Sequence, residues 1–289
     1  MVFRKYDAPG KIIIMSQKQN RLFNFLQDKA NWVRRETLKI HKLAPETRLA
    51  SSLSAVEIFV VLYYGKIIKF NPRDTSWGDR DRFIISKGHG AISLYPILCK
   101  LGFFPEEELG RVCKEGSILG GIPDPIIPGF ETVNGSLGHG LGVACGIALG
   151  LKRKKKKGKV FVLLGDGELY EGSVWEAIMF AGEHRLDNLI AIVDNNKISM
   201  LDYCKNILDL EPLQEKFKVF HWDVLRVNGH NVNQLFQTLK RLKKKTKNGK
   251  PKLLIADTIK GKGVVKLEKD HLCHIKSLSK EEIEILLQE

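Results

Sequence analysis

The chain has 289 residues, 43% hydrophobic and 28% charged, with a formal net charge of +14; that length can bury one large α/β core or two smaller ones. No apolar run approaches the roughly 18 residues of a membrane span, and residues 1–19 hold only the short run Ile12-Ile13-Ile14-Met15 without a small-residue cleavage pattern, so a soluble, cytoplasmic protein is expected. Five scattered cysteines, Cys99, Cys113, Cys145, Cys204 and Cys273, include no Cys-x-x-Cys pair, which argues against a zinc site and a disulfide framework.

Residues 1–20 contain no readable motif and are taken as an amino-terminal extension, with residues 21–289 as one domain. The stretch 116–142 carries eight glycines, too many for regular structure, and a connection that long inside a compact domain is usually functional. A helix is expected over residues 144–152. It runs into Lys-Arg-Lys-Lys-Lys-Lys-Gly-Lys at 152–159, and then into the strand Val160-Phe161-Val162-Leu163-Leu164. A helix over 175–184 and a second strand, Leu189-Ile190-Ala191-Ile192-Val193, follow. Apolar Val232, Leu235, Phe236, Leu239 and Leu242 at helical spacing mark a helix over 232–244, and Leu253-Leu254-Ile255-Ala256 marks a third strand. Continuous apolar runs are typical of strands buried on both faces, so the fold class is α/β, an open, mostly parallel sheet with helices on both faces.

Two basic runs, seven side chains in 152–159 and eight in 240–252, hold the entire excess of positive charge. Each precedes a strand, and lysine suits a helix carboxyl terminus. Neither is interleaved with aromatic residues, so no nucleic-acid partner is expected.

Gly165-Asp166-Gly167 directly follows a buried strand, and Asp194-Asn195-Asn196 ends the next one. In an open α/β sheet, ligands bind at the carboxyl ends of the strands. Magnesium takes hard oxygen donors, commonly one or two carboxylates plus phosphate oxygens. Asp166 offers a carboxylate, Asn196 an amide oxygen and Ile198 a backbone carbonyl; a diphosphate would complete the shell. The flanking glycines allow close backbone approach, and the helix that follows turns its positive end to negative charge.

A Gly-Asp-Gly turn closed by an asparagine thirty residues later matches the thiamine-diphosphate signature. The run from Gly165 through Glu168, Glu171, Gly172, Trp175 and Glu176 to Ala177 resembles its transketolase version. Asp81 to Gly90, with Gly88-His89-Gly90, resembles a second loop of that family; Gly135-Ser136-Leu137-Gly138-His139-Gly140 resembles a third; Thr258-Ile259-Lys260-Gly261-Lys262-Gly263 with His274 resembles the carboxyl-terminal segment. The resemblance extends from about Ser52 to His274. It implies thiamine diphosphate and Mg2+ as cofactors, with Asp166, Asn196 and the Ile198 carbonyl as metal ligands. Gly165, Gly167, Glu168, Ser136, Leu137, Gly138, His89 and His274 would lie about the cofactor. His89, His274, Glu171 and Glu176 would be catalytic, the two glutamates as part of an acidic relay across a subunit interface.

In this family the glutamate that activates the cofactor's pyrimidine ring comes from a second domain, for which the sequence has no counterpart. The resemblance therefore implies an amino-terminal subunit of a split transketolase. It would pair with a separate pyrimidine-binding subunit, two of each chain, and transfer a two-carbon ketol unit from a ketose or ketose phosphate to an aldose. Two family histidines are replaced, by Arg48 in Thr47-Arg48-Leu49 and by Ile122 in Gly121-Ile122-Pro123. An arginine cannot accept a hydrogen bond and an isoleucine can neither donate nor accept one, so a sugar other than the usual pentose-pathway ketose phosphates is expected, with Arg48 facing an anion. Two alternatives stay open at this point: a 2-oxo acid decarboxylating or deoxyxylulose-phosphate-synthase-like subunit, and a non-catalytic cofactor-binding subunit.

Overall fold

A computed structural model describes residues 6–7, 11–12, 17–245 and 248–288, with side chains from residue 17 onward. Strands β1 (Tyr6–Asp7) and β2 (Lys11–Ile12) form a small antiparallel ribbon separate from the main sheet. That sheet contains β3 (Arg82–Ile85), β4 (Val160–Gly165), β5 (Leu189–Asn195), β6 (Asp223–Asn228) and β7 (Lys252–Asp257). Its order is β3-β4-β5-β7-β6 and every pairing is parallel. The three strands expected from continuous apolar runs are its centre. Edge strand β6 is only half-buried and β3 is four residues long, so neither carries the signal that identifies the others.

Alternation along the strands sends side chains to two cores. Phe83, Phe161, Leu163, Ile190, Ile192 and Leu254 face one side; they pack with helices α1 (Gln17–Leu43), α3 (Val56–Tyr63) and the later helix Val232–Lys243. Ile84, Val162, Leu164, Ala191, Val193 and Ile255 face the other, against α5 (Gly140–Arg153) and α6 (Gly172–Glu183). Each fully buried aliphatic side chain contributes about 1.5–3 kcal/mol before the entropy of ordering is counted. Helices therefore cover both faces, as the sequence pattern requires.

Helix α1 is 27 residues long and crosses residue 20, so the last residues of the expected extension form its first turn. Phe23, Leu26, Ala30, Val33 and Ile40 make its buried stripe, together with Thr37, whose hydroxyl donates to the Val33 carbonyl at 2.7 Å. Its last turn holds the buried His41, with Nδ1 2.9 Å from the Thr47 hydroxyl. Two short helices bridge to the sheet, α2 (Leu49–Leu53) before α3 and α4 (Tyr95–Lys100) after it. A third, smaller cluster, including Leu38, Leu49, Leu53, Ile198, Leu267 and Cys273, fastens the carboxyl-terminal segment to α1 and α2.

Both lysine runs reach the amino-terminal edge of the sheet. Lys159 directly precedes β4 and Lys252 opens β7. Burial pulls both amines below the ordinary lysine range, reinforced by Lys245 and Lys243 around Lys159 and by Lys159 beside Lys252. Among the described residues no helix is long and apolar enough to cross a membrane.

Candidate cofactor site at the carboxyl ends of the strands

Asp166 and Asn196 leave the carboxyl ends of β4 and β5, which pair in register with Gly165 opposite Asp194. Thr258 leaves the end of β7, next to β5. Parallel pairing alone thus brings three loops, distant in sequence, to one edge. They line a cavity of about 520 Å³ whose wall includes Asp166, Asn196, Ile198, Thr258 and Lys260, and which continues past Tyr203 and Leu208.

The Asp166 carboxylate accepts the Gly167 amide at 2.8 Å and the Lys197 amide. Burial, with Asp194 nearby, still pushes its carboxyl up to about 6. A carboxylate in that position gains from a cation. Asn196 turns its amide nitrogen to Asp194 Oδ2 at 3.3 Å, which fixes its oxygen on the opposite side, where it accepts the Ile198 amide at 3.2 Å. The Ile198 and Ser199 carbonyls accept from the Lys260 ammonium at 2.7 and 2.9 Å, so a cation already stabilises the carbonyl the sequence assigns to a metal. Burial and the neighbouring Lys87 pull the Lys260 amine down to about 8. These oxygen donors, one carboxylate, one amide and one carbonyl, suit a hard divalent cation that takes its other ligands from a diphosphate. Among the described residues no group of three or more His, Cys, Asp or Glu side chains forms an all-protein metal cage.

Behind the cavity lies a buried polar hub for which sequence reasoning assigned no role. Asp194 Oδ2 accepts from Lys87 Nζ and, at 2.6 Å, from the Ser54 hydroxyl, while Oδ1 accepts from the Thr258 hydroxyl. Burial raises the Asp194 carboxyl, but the Lys87 ammonium and these donors outweigh it and hold the group below the usual carboxylate range. Lys87 also donates to the Ser51 carbonyl at 3.0 Å. A buried charge must be paired and hydrogen-bonded to persist, and this pair ties the ends of β3, β5 and β7 to α2. An Asp beginning the Asp194-Asn195-Asn196 triplet, and a Lys in Ser86-Lys87-Gly88, were the available signals.

His89 and His274 come together, with ring centroids 5.0 Å apart, and His274 Nδ1 lies 3.3 Å from the Ser51 hydroxyl. They stand in the field of Lys87 and Lys260 rather than on the cavity wall. Burial, reinforced by Lys260, Lys87 and Arg48, pulls His274 down to about 3, and burial with Lys87 and His274 takes His89 well below its ordinary value. Both imidazoles are neutral at pH 7 and can accept a hydrogen bond, but they resist protonation.

Glu168 does not open into the cavity. Its carboxylate accepts the Gly138 amide at 3.0 Å, the Gly165 amide at 3.1 Å and the Ser86 hydroxyl, clasping the glycine-rich loop to β4. Gly138 has φ +84°, and a Cβ there would sit 2.7 Å from Glu171 Cβ, so this position demands glycine. Ser136 is exposed and Leu137 half-buried in the same loop. Glu171 and Glu176, at the start of α6, are both exposed and away from the cavity; Val143, Met179 and Phe180 on α5 and α6 are exposed as well. Arg48, which precedes α2, is exposed and close enough to His274 to help keep it neutral. Ile122 is 40% exposed and packs over Gly135, where an added Cβ would lie 3.1 Å from its Cδ1.

An all-parallel sheet whose carboxyl edge presents an Asp-Asn-carbonyl oxygen set beside two lysines defines a diphosphate-binding α/β domain. Residues 33–289 match the family described as Transketolase, thiamine diphosphate binding domain, and the chain belongs to that family. It is 39% identical over 240 residues to a 6-deoxy-6-sulfo-D-fructose transketolase subunit of Clostridium sp. (strain MSTE9), covering 82% of this chain and 86% of that one. It is 38% identical over 272 residues to an apulose-4-phosphate transketolase subunit of Actinobacillus succinogenes, covering 93% and 97%. The crystal structure of Campylobacter jejuni transketolase superposes with a TM-score of 0.85 at 32% identity, covering 92% of this chain. The chain spans only 42% of that transketolase, whereas it spans nearly the full length of the subunit-type relatives.

Proposed function

We propose that this chain is the diphosphate-binding subunit of a two-chain transketolase that uses thiamine diphosphate and Mg2+ to transfer a two-carbon ketol unit from a ketose to an aldose. The observation that carries the reading is the convergence of Asp166, Asn196, the Ile198 carbonyl and Lys260 on one cavity at the carboxyl ends of β4, β5 and β7. When bound, the cofactor supplies the carbon that carries the two-carbon unit between sugars. Asp166, Asn196 and Ile198 hold the metal; Lys260 and Lys87 supply positive charge to the diphosphate. Neutral His89 and His274 orient substrate hydroxyls by accepting hydrogen bonds from them. Glu171 and Glu176, exposed at the head of α6, face a partner chain that contributes the pyrimidine-binding domain, in an assembly of two of each chain. The five cysteines are free, in keeping with a reducing, cytoplasmic setting.

The substrate is proposed to be a non-standard sugar. Relatives named for sulfofructose and apulose-4-phosphate support this reading, as do Arg48 and Ile122 in place of the two family histidines. Calorimetric titration of thiamine diphosphate with Mg2+, into the chain alone and with its partner, tests the assignment. Binding should tighten sharply with the partner and vanish in Asp166→Ala. No magnesium-dependent binding in either preparation would remove the cofactor and every role attached to it.

A further inference from the structure

The segment after β7 that presents Lys260 is held by three elements through its backbone. Ile259 N–H donates to His230 Nε2 at 2.8 Å, Arg34 Nε donates to the Lys262 carbonyl at 3.0 Å, and Gly261 N–H donates to the Ala50 carbonyl at 3.0 Å. The first two holders share one anchor. Glu57, 2% exposed on α3, accepts Arg34 Nη2 at 2.6 and 2.7 Å and lies 3.0 Å from His230 Nδ1. Because Nε2 accepts from Ile259, the proton of a neutral His230 is on Nδ1 and is donated to Glu57. Burial raises the Glu57 carboxyl, but His230 and Arg34 hold it below the usual range, so the anchor is an anion. Gly263 has φ +92°, and an added Cβ would lie 2.8 Å from Arg34 Cδ, so the chain is shaped around this contact.

We infer that Glu57, through Arg34 and His230, is a positioning device that fixes the backbone of residues 259–262 and thereby aims the Lys260 ammonium at the cofactor's diphosphate. None of the three residues reaches the cavity that holds Asp166, Asn196 and Lys260, although His230 and Lys262 line a smaller hollow beside it. Their effect passes through two backbone hydrogen bonds. Residues that orient a cofactor's direct partners in this way typically change affinity by about 10–100-fold when removed. The inference rests on the thiamine-diphosphate reading above, since it concerns the affinity of that site.

The test uses the full chain together with its partner and reads magnesium-dependent thiamine-diphosphate affinity, kcat at saturating cofactor, and amide exchange over residues 258–264. His230→Ala should weaken cofactor binding about 10-fold, leave kcat at saturation within about twofold, and expose the Ile259 amide to exchange. Adding it to Lys260→Ala should cost little beyond Lys260→Ala alone, because both act on the same contact. Arg34→Lys, which keeps the charge but loses the fork that joins Glu57 to Lys262, should show the same affinity loss and serves if the Ala variant does not fold. Unchanged affinity in both variants, or losses that add fully to that of Lys260→Ala, would overturn the positioning role while leaving the cofactor assignment in place. Absence of binding by the unmodified pair would overturn both.

Discussion

Arg48 is the residue at which the proposed change of substrate can be tested most directly. It stands exposed before α2, beside a His274 held neutral, while Ile122 offers only an apolar edge over Gly135. Where family members place imidazoles that exchange hydrogen bonds with sugar hydroxyls, this chain has a permanent cation and a hydrocarbon. Replacing both with histidine should move substrate preference toward ordinary ketose phosphates by about tenfold or more in relative kcat/KM, roughly 1.4 kcal/mol. A preference ratio that stays the same in competition between an anionic non-standard sugar and xylulose 5-phosphate would remove the anion-facing role. Cofactor affinity should not change, because neither side chain reaches the Asp166 and Asn196 oxygens.

Between elements, the decisive contact is the glycine-rich connection against the end of β3. A Cβ on Gly88 would fall 1.6 Å from the Asn134 carbonyl oxygen and 3.0 Å from Pro123 Cδ, and no rotamer can relieve a clash made by Cβ itself. Gly88→Ala should force the loop off the sheet, costing about 1–3 kcal/mol or more and abolishing cofactor binding; a thermal melt with and without thiamine diphosphate and Mg2+ reads both. The same scale explains what sequence alone made legible. Strands β4, β5 and β7 were readable because each is a continuous apolar run, and Asp166 and Asn196 because each directly follows one. Strand β6 was not, since its edge position leaves it half-exposed, and neither was α1, whose buried stripe includes the polar Thr37 and His41. The Lys87–Asp194 pair and the Glu57–Arg34–His230 network join elements that only tertiary packing brings together. Their partners lie 107, 23 and 173 residues apart, a separation that no local pattern encodes.

Across the whole molecule, buried histidines set the response to acid. Burial takes His41 down to about 4, and burial with nearby cations takes His274 down to about 3. In the unfolded chain each titrates near 6.5. Between those values the unfolded chain binds protons that the folded chain refuses, so stability is fully present above about pH 6.5 and is lost as pH falls toward 4. Asp166 works in the opposite direction, since its carboxyl is pushed up to about 6 and the folded state gains its proton first. Melting temperature measured from pH 7.5 to 4.5 should therefore decline below about 6.5, and His41→Gln should flatten the decline. A melting temperature that holds steady or rises on acidification would mean that the carboxylate dominates.

The placement of the lysines gives the molecule a top and a bottom. The cavity opens where the strands end, while the exposed basic residues 152–157 before β4, and Lys244 and Lys245 before β7, lie toward the edge where they begin. A negatively charged surface, whether an exchange resin or a sensor chip, should therefore seize this protein from beneath and leave its entrance turned toward solution. Captured in that posture, it can be offered cofactor, metal and partner in turn without a tag or a linker.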